Sequence, residues 1–162
     1  MSLAVFVLLM VTLQRLSELW IAKRNTRWLL DRGGREAAPE HYPLIVALHA
    51  AWLIGLWIFA HDREVVLHWL GLFVVLQAVR VWILTTMGPR WTTRIIVLPD
   101  APLVETGPFR WVSHPNYCVV VAEILLLPLA FGLVWYALVF SLLNAIVLTI
   151  RIRAENEALA AS

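Results

Sequence analysis

Residues 117–150 read YCVVVAEILLLPLAFGLVWYALVFSLLNAIVLTI, and their length and composition indicate the architecture of the chain. It is too long for one membrane span, since roughly 20 apolar residues cross the hydrocarbon core of a bilayer. Pro128 and Gly132 interrupt it, and both residue types break or turn helices. The stretch therefore predicts a tight hairpin of two short transmembrane helices.

Three more apolar stretches precede the hairpin, at residues 3–22, 43–60 and 65–86. The chain is 61% hydrophobic and 15% charged, with a mean hydropathy of +0.78. Soluble proteins are about half apolar and a quarter charged. We therefore expect an all-α integral membrane protein with about five transmembrane helices, forming a single membrane domain over residues 1–162.

The basic residues indicate the orientation, because cytoplasmic loops carry an excess of lysine and arginine. The connections on one side of the predicted helices hold ten of them, namely Lys23, Arg24, Arg27, Arg32, Arg35, Arg90, Arg94, Arg110, Arg151 and Arg153. The opposite side holds only Arg63. This asymmetry predicts an N-terminus outside and a cytoplasmic C-terminus. The net charge of +2 is too small to indicate a nucleic-acid partner, and the expected partner is membrane lipid.

The segment 88–115 is the one long connection besides the first loop. Ile95–Leu98 and Leu103-Val104 flank the turn-like Pro99-Asp100-Ala101-Pro102. We expect an irregular or β-hairpin cap on the cytoplasmic face. A single cysteine, Cys118, excludes an internal disulfide and a cysteine metal cluster, and no metal is expected.

Ionisable and amide side chains inside the predicted spans are candidate functional groups, because a bilayer makes them costly. They are Gln14, Arg15, Glu18, His49, Gln77, Arg80, Glu123 and Asn144. Simpler interpretations stay open: Arg15 and Glu18 can pair along one helix, Arg80 can extend to the headgroups, and His49 can be a packing histidine. Glu123 has no charged neighbour in its own helix, so it needs a partner from another.

Two local patterns mark the cytoplasmic end of the hairpin. Asn144, Leu148, Arg151 and Glu155 lie on one face of the last helix, where a structural Arg151–Glu155 salt bridge is the alternative to catalysis. Pro115 suits the first position of a helix, with Ser113 or His114 as its N-cap. The unpaired N–H groups there attract anions, although an ordinary capped helix start has the same sequence.

These residues resemble the isoprenylcysteine carboxyl methyltransferase family, including its small bacterial relatives. The resemblance covers about residues 91–159. LVETGPFRWVSHPNY, residues 103–117, is similar to the family segment LV-x-x-G-x-Y-x-W-x-R-H-P-S-Y, and RIRAE, residues 151–155, to its terminal R-x-x-x-E. Phe109 replaces the family tyrosine and Ser113 the family arginine.

The resemblance implies an S-adenosylmethionine-dependent methyltransferase of the bacterial inner membrane, with residues 87–162 as the catalytic region. The implied cofactor-binding residues are Leu103, Val104, Phe109, His114, Pro115, Asn116, Tyr117 and Glu155. Arg151 would orient a lipophilic acceptor together with Asn144. Glu155 and Glu123 complete the predicted catalytic set, and His114 or Glu123 would be the base for a phenol or enol acceptor, whereas a carboxylate needs none.

Two other functions compete with this one. Sterol-reductase-type membrane enzymes, which bind NADPH, also carry a proline-asparagine-tyrosine segment in their C-terminal helices. A non-catalytic membrane scaffold would have polar groups paired for packing. Binding of S-adenosylmethionine, of NADPH or of neither separates the three.

Overall fold

Five α-helices make up most of the structure, a computed structural model that describes residues 2–99 and 101–160. They are α1 (Leu3–Leu30), α2 (Tyr42–Ala60), α3 (Leu67–Met87), α4 (Pro115–Ala130) and α5 (Val134–Ala160). Four helical segments are long and apolar enough to cross a membrane, namely Leu3–Leu30, Pro39–Ala60, Leu67–Arg90 and Val134–Ala160. The predicted all-α integral membrane class is confirmed.

Helix α4 is the short one, with 16 residues. It runs past Pro128 and ends at Ala130, so the chain turns at residues 131–133, within the interruption that Pro128 and Gly132 predicted. Pro128 lies in the last turn, so the hydrogen bond that its missing N–H removes, to the Ile124 carbonyl, is one of the last in the helix. Gly132 takes a φ of 70° in the turn, and α4 and α5 pack against each other.

Helices α1 and α5 run past the apolar stretches that predicted them. Both continue through charged residues, α1 to Leu30 and α5 to Ala160. Lysine, arginine, glutamate and alanine all favour helix, so the apolar stretch ends while the helix does not. The extension of α5 carries Arg151 and Glu155 beyond the apolar part of the chain.

The apolar core lies at the opposite end from these extensions. Its most deeply buried members come from α1, α2 and α4, and include Leu8, Trp52, Leu56, Ile124 and Leu127. The Tyr136 hydroxyl donates to the Trp52 carbonyl at 2.7 Å, which joins α5 to α2. The helices are thus held together at one end and leave room for a site at the other.

The segment between α3 and α4 forms an irregular cap. Of the two forms predicted for it, irregular or β-hairpin, the β-hairpin is wrong, since β2 (Ile96–Val97) pairs instead with β1 (Arg35–Glu36) of the first loop. The pairing is antiparallel, with Arg35 opposite Val97. Pro99 and Pro102 remove two backbone N–H donors from the expected hairpin. Arg35 and Glu36 of the first loop both have a backbone N–H that can donate. The connection between α1 and α2 and the connection between α3 and α4 therefore form one cap.

Candidate active site

A cavity of about 400 Å³ opens between the cap and the helices. This volume lies within the roughly 300–1,000 Å³ of small-molecule sites. Its wall contains seven residues that the sequence predicted, namely Phe109, His114, Pro115, Asn116, Tyr117, Arg151 and Glu155. The two separate sequence motifs therefore meet across one space.

Tyr117 links Arg151 to Glu155 at the cap end of the cavity, and we call these three residues the rim triad. The Tyr117 hydroxyl donates to Glu155 Oε2 and accepts from Arg151 Nε at 3.1 Å. Arg151 Nη2 donates to the Thr93 carbonyl at 2.6 Å. Among the described residues no direct ion pair joins Arg151 to Glu155, so the predicted alternative of a simple salt bridge is replaced by a tyrosine bridge.

The start of α4 places this tyrosine. The helix begins at Pro115 as predicted, but His114 at the N-cap position makes no side-chain capping bond. Its ring instead stacks on Tyr117, with centroids 5.3 Å apart, and its Nδ1 lies 3.9 Å from Glu155 Oε2. Asn116 presents a buried Oδ1 that hydrogen-bonds to no described residue. The first turn of α4 thus offers an aromatic surface and an unpaired amide oxygen, with the Glu155 carboxylate of α5 beside them.

Four predicted site residues lie outside the cavity wall. Leu103 is 63% exposed, and Val104 beside it is half-buried, because the chain before Gly107 runs along the outside of the cap. Glu123 is fully buried and points towards other helices. Asn144 is buried one helical turn before Leu148, a residue of α5 that lines the cavity. Neither amide atom of Asn144 has a hydrogen-bond partner in the described ranges.

Glu123 belongs to a second polar group, the membrane cluster, which consists of Arg15, Glu18, Arg80 and Glu123. Arg80 donates to Glu18 Oε1 at 2.6 Å and to Glu123 Oε2 at 2.7 Å. Arg15 contacts the same carboxylates at 3.2 and 2.6 Å. Gln14 and Gln77 supply the remaining contacts. The prediction that Glu123 pairs with another helix is confirmed.

This cluster corrects two of the simpler interpretations. Arg80 does not extend to the headgroups, since it is 4% exposed and bound to two carboxylates. Arg15 and Glu18 do pair, but within a group of four charged residues from three helices whose charges sum to zero. Breaking such a pair leaves an uncompensated buried charge. Glu123 is thus held as a structural anion, with no free oxygen for the catalytic role that we predicted.

The wall also contains residues outside the predicted cofactor-binding and acceptor-binding sets. Tyr42 lines it from α2, together with His49, which the sequence marked only as a candidate functional group, and Thr93 and Arg94 line it from the cap. Arg94 lies 4.2 Å above the Tyr42 ring and pairs with Glu36 at 2.5 Å. Tyr42 and His49 are seven residues apart, on one face of a helix. This spacing was the feature of the sequence that could have added Tyr42 to the predicted site.

The fold and the cavity define an integral membrane protein whose cap and helix ends enclose a small-molecule site. Residues 69–161, more than half of the chain, match the isoprenylcysteine carboxyl methyltransferase (ICMT) family. The chain belongs to this family, so the predicted family is confirmed. Membership places it among membrane methyltransferases.

Two bacterial relatives extend the similarity over nearly the whole chain. The uncharacterized protein YpbQ of Bacillus subtilis is 38% identical over 151 residues, which cover 90% of this chain and 90% of the relative. An uncharacterized protein of Haemophilus influenzae is 24% identical over 151 residues, covering 90% of this chain and 88% of that protein. No solved structure matches the chain at a significant level.

Proposed function

We propose that this protein is an S-adenosylmethionine-dependent O-methyltransferase that acts on a lipophilic acceptor at the cytoplasmic face of the membrane. The acceptor atom is a carboxylate or a phenol or enol oxygen. The observation that carries the proposal is the rim triad, which brings the two family motifs together in one cavity wall. The region from residue 87 to 162 supplies all three of its side chains.

The residues around the start of α4 suit the cofactor. Asn116 Oδ1 is buried without a partner among the described residues, and Glu155 keeps a carboxylate oxygen available for a hydroxyl or ammonium group. The stacked rings of His114 and Tyr117 provide a flat aromatic surface, and Phe109 and Pro115 extend it. When bound, S-adenosylmethionine would supply a methyl group from a positively charged sulfonium.

Arg151 is suited to orient the acceptor. Its Nε and Nη2 are held by Tyr117 and Thr93, while Nη1 hydrogen-bonds to no residue in the described part of the chain. A guanidinium fixed in this way can present a planar donor edge to a carboxylate or phenolate. Holding the acceptor oxygen in place converts the reaction to an effectively unimolecular one.

The acceptor enters from the bilayer through a side opening between α1 and α2. Leu16 and Leu19 of α1 and Val46 of α2 line the cavity and are also exposed, by 59%, 45% and 41%. Apolar side chains that face both lipid and cavity allow an alkyl tail to stay in lipid while its polar end reaches the site. A lipid-like acceptor fits this shape.

The topology that we propose has five spans, with the N-terminus outside a bacterial inner membrane and the C-terminus in the cytoplasm. Support comes from the basic residues and from the cap, which both cytoplasmic connections build. Single cysteines at positions 31, 62 and 162, in a Cys118→Ala background, test it by labelling from each side. Position 62 should react only from outside, and labelling from the cytoplasm would reverse the orientation.

Isothermal calorimetry of the purified protein tests the function directly. S-adenosylmethionine and S-adenosylhomocysteine should bind, and NADPH, the cofactor of the reductase alternative, should not. His114→Ala and Glu155→Ala should each weaken S-adenosylmethionine binding tenfold or more, about 1.4 kcal/mol. Arg153→Ala is the matched control, because Arg153 lies on the same helix, is exposed and faces away from Glu155. Binding of NADPH alone would overturn the proposal.

A further inference from the structure

We propose that His49 is the general base of this site and that the acceptor is a neutral, weakly acidic hydroxyl. This inference rests on the methyltransferase function proposed above and names its substrate class. It starts from the two bases that the sequence predicted. Glu123 lies outside the cavity with its carboxylate bound to Arg15 and Arg80. His114 is stacked on Tyr117 beside Glu155, among the cofactor-binding residues.

The hydrogen bonding of His49 fixes which ring nitrogen is basic. Its Nδ1 lies 2.8 Å from the carbonyl oxygen of Ile45, one turn earlier in α2. A carbonyl only accepts hydrogen bonds, so Nδ1 carries the hydrogen and Nε2 of the neutral ring carries a lone pair. No described residue hydrogen-bonds to Nε2, and His49 lines the cavity. His49 therefore brings an unpaired acceptor nitrogen to the wall of the space where the acceptor binds.

The depth of His49 suits a substrate that comes from the bilayer. His49 lies seven residues beyond Tyr42 on the same face of α2, about 10 Å deeper by the helical rise. Tyr42 contacts Thr93 at 3.2 Å, and Thr93 holds Arg151, so Tyr42 marks the level of the rim triad. His49 thus stands on the lipid side of Arg151, next to the opening lined by Val46.

The charged groups that face His49 come from three other helices: Arg15 of α1, Arg80 of α3 and Glu123 of α4. The two guanidiniums and the carboxylate belong to the membrane cluster, whose net charge is zero when Glu18 is included. Arg15, Glu18 and Arg80 also line the cavity. An oxygen that loses its proton to His49 would therefore develop its negative charge near a cluster that is neutral overall and does not repel it.

The step balances with His49 as proton acceptor. The acceptor O–H bond breaks and its proton goes to Nε2, while a lone pair of that oxygen forms the bond to the methyl carbon. The carbon–sulfur bond breaks, and its electron pair stays on sulfur, which becomes a neutral thioether. One positive charge passes from sulfonium to imidazolium, and the proton then leaves through the cavity mouth to water. A carboxylate acceptor would need no such base.

Two substitutions test the basic nitrogen, Nε2, separately from Nδ1, which holds the ring against the Ile45 carbonyl. His49→Asn places an amide N–H where Nδ1 was, so it keeps the bond to Ile45 but removes Nε2. His49→Gln puts a non-basic amide where Nε2 was. We expect both variants to keep S-adenosylmethionine affinity and thermal stability and to lose turnover by a hundredfold or more. His68→Asn is the matched control, since His68 is exposed on α3, outside the cavity wall.

The probes are 4-dodecylphenol and dodecanoate, supplied in phosphatidylglycerol vesicles with methyl-tritiated S-adenosylmethionine. The phenol should be methylated by the wild type and by His68→Asn, but not by the His49 variants. Methylation of dodecanoate alone, of neither probe by a protein that binds the cofactor, or of the phenol at an unchanged rate by His49→Asn would each overturn the inference. Failure to bind S-adenosylmethionine would instead overturn the proposed function.

A second measurement needs no turnover. Histidine-selective ¹⁵N NMR in the presence of S-adenosylhomocysteine, which has no methyl to transfer, should show the Nε2 resonance of His49 shifting when the phenol is added. The resonance is assigned by its loss in His49→Asn. The same titration with dodecanoate should leave it unmoved. An Nε2 resonance that ignores the phenol contradicts direct contact.

Discussion

The rim triad and the membrane cluster are built from the same chemical groups but differ in how fully those groups are paired. In the membrane cluster all four carboxylate oxygens of Glu18 and Glu123 accept hydrogen bonds. In the rim triad, Glu155 Oε1 and Arg151 Nη1 bond to no residue in the described ranges. The first arrangement is complete within the protein, and the second leaves positions for a ligand.

Depth in the membrane explains this difference. Within the hydrocarbon no water completes a hydrogen bond, so an unpaired polar group is very costly. The Glu123 side chain is 0% exposed, whereas that of Glu155 is 28% exposed. At the partly exposed rim, water can reach the open positions, so leaving them unpaired within the protein costs little. Arginine and glutamate thus stabilise the fold at one level and remain available for binding at the other.

The largest effect should follow from breaking the membrane cluster. Glu123→Ala leaves Arg15 and Arg80 short of a buried partner, and we expect a loss of about 3–5 kcal/mol of stability. Thermal unfolding in detergent measures it. Glu155→Ala is the comparison at the rim and should change stability little. Equal destabilisation by both substitutions would remove the distinction between the two regions.

A smaller effect should follow from changing the shape of the guanidinium at the rim. Arg151→Lys keeps the charge but loses the planar fork, so turnover should fall about a hundredfold. Cofactor affinity and melting temperature should hold. A variant that loses both of these together, with normal turnover per bound cofactor, would show that Arg151 only supports the structure.

Removing the bridge between Arg151 and Glu155 should have an intermediate effect. Tyr117→Phe deletes the shared hydroxyl and keeps the ring that stacks on His114, so S-adenosylmethionine should bind about tenfold more weakly, or about 1.4 kcal/mol. Calorimetry measures the change. Tyr136→Phe is a control outside the cavity wall. Wild-type affinity in Tyr117→Phe would mean that the hydroxyl does not organise the site.

The smallest effect is expected in the cap. Glu36→Gln removes the charge that pairs with Arg94, but the two side chains are 22% and 36% exposed. Partly solvated pairs contribute about 0–1 kcal/mol, so the melting temperature should hardly change. A loss comparable to that of Glu123→Ala would show that the cap, rather than the membrane cluster, limits stability.

Local sequence patterns predicted the parts of the site that depend on neighbouring residues. Pro115 marked the first turn of α4, and the spacing of Arg151 and Glu155 placed both on one face of α5. Leu103 and Val104 were expected in the wall because of their motif alone, and the structure puts them outside it. A motif identifies a segment of chain, but it does not show which of its side chains turn inward.

The helices, the proline start of α4 and the family could be predicted from the sequence, because apolar length, period and turn residues act over a few neighbouring positions. The partners of the charges depend instead on the tertiary structure. Arg15 and Glu123 are 108 positions apart, and β2 pairs with the first loop rather than with its own segment. Such choices depend on which helices pack together at one depth, where every buried polar group must find a partner.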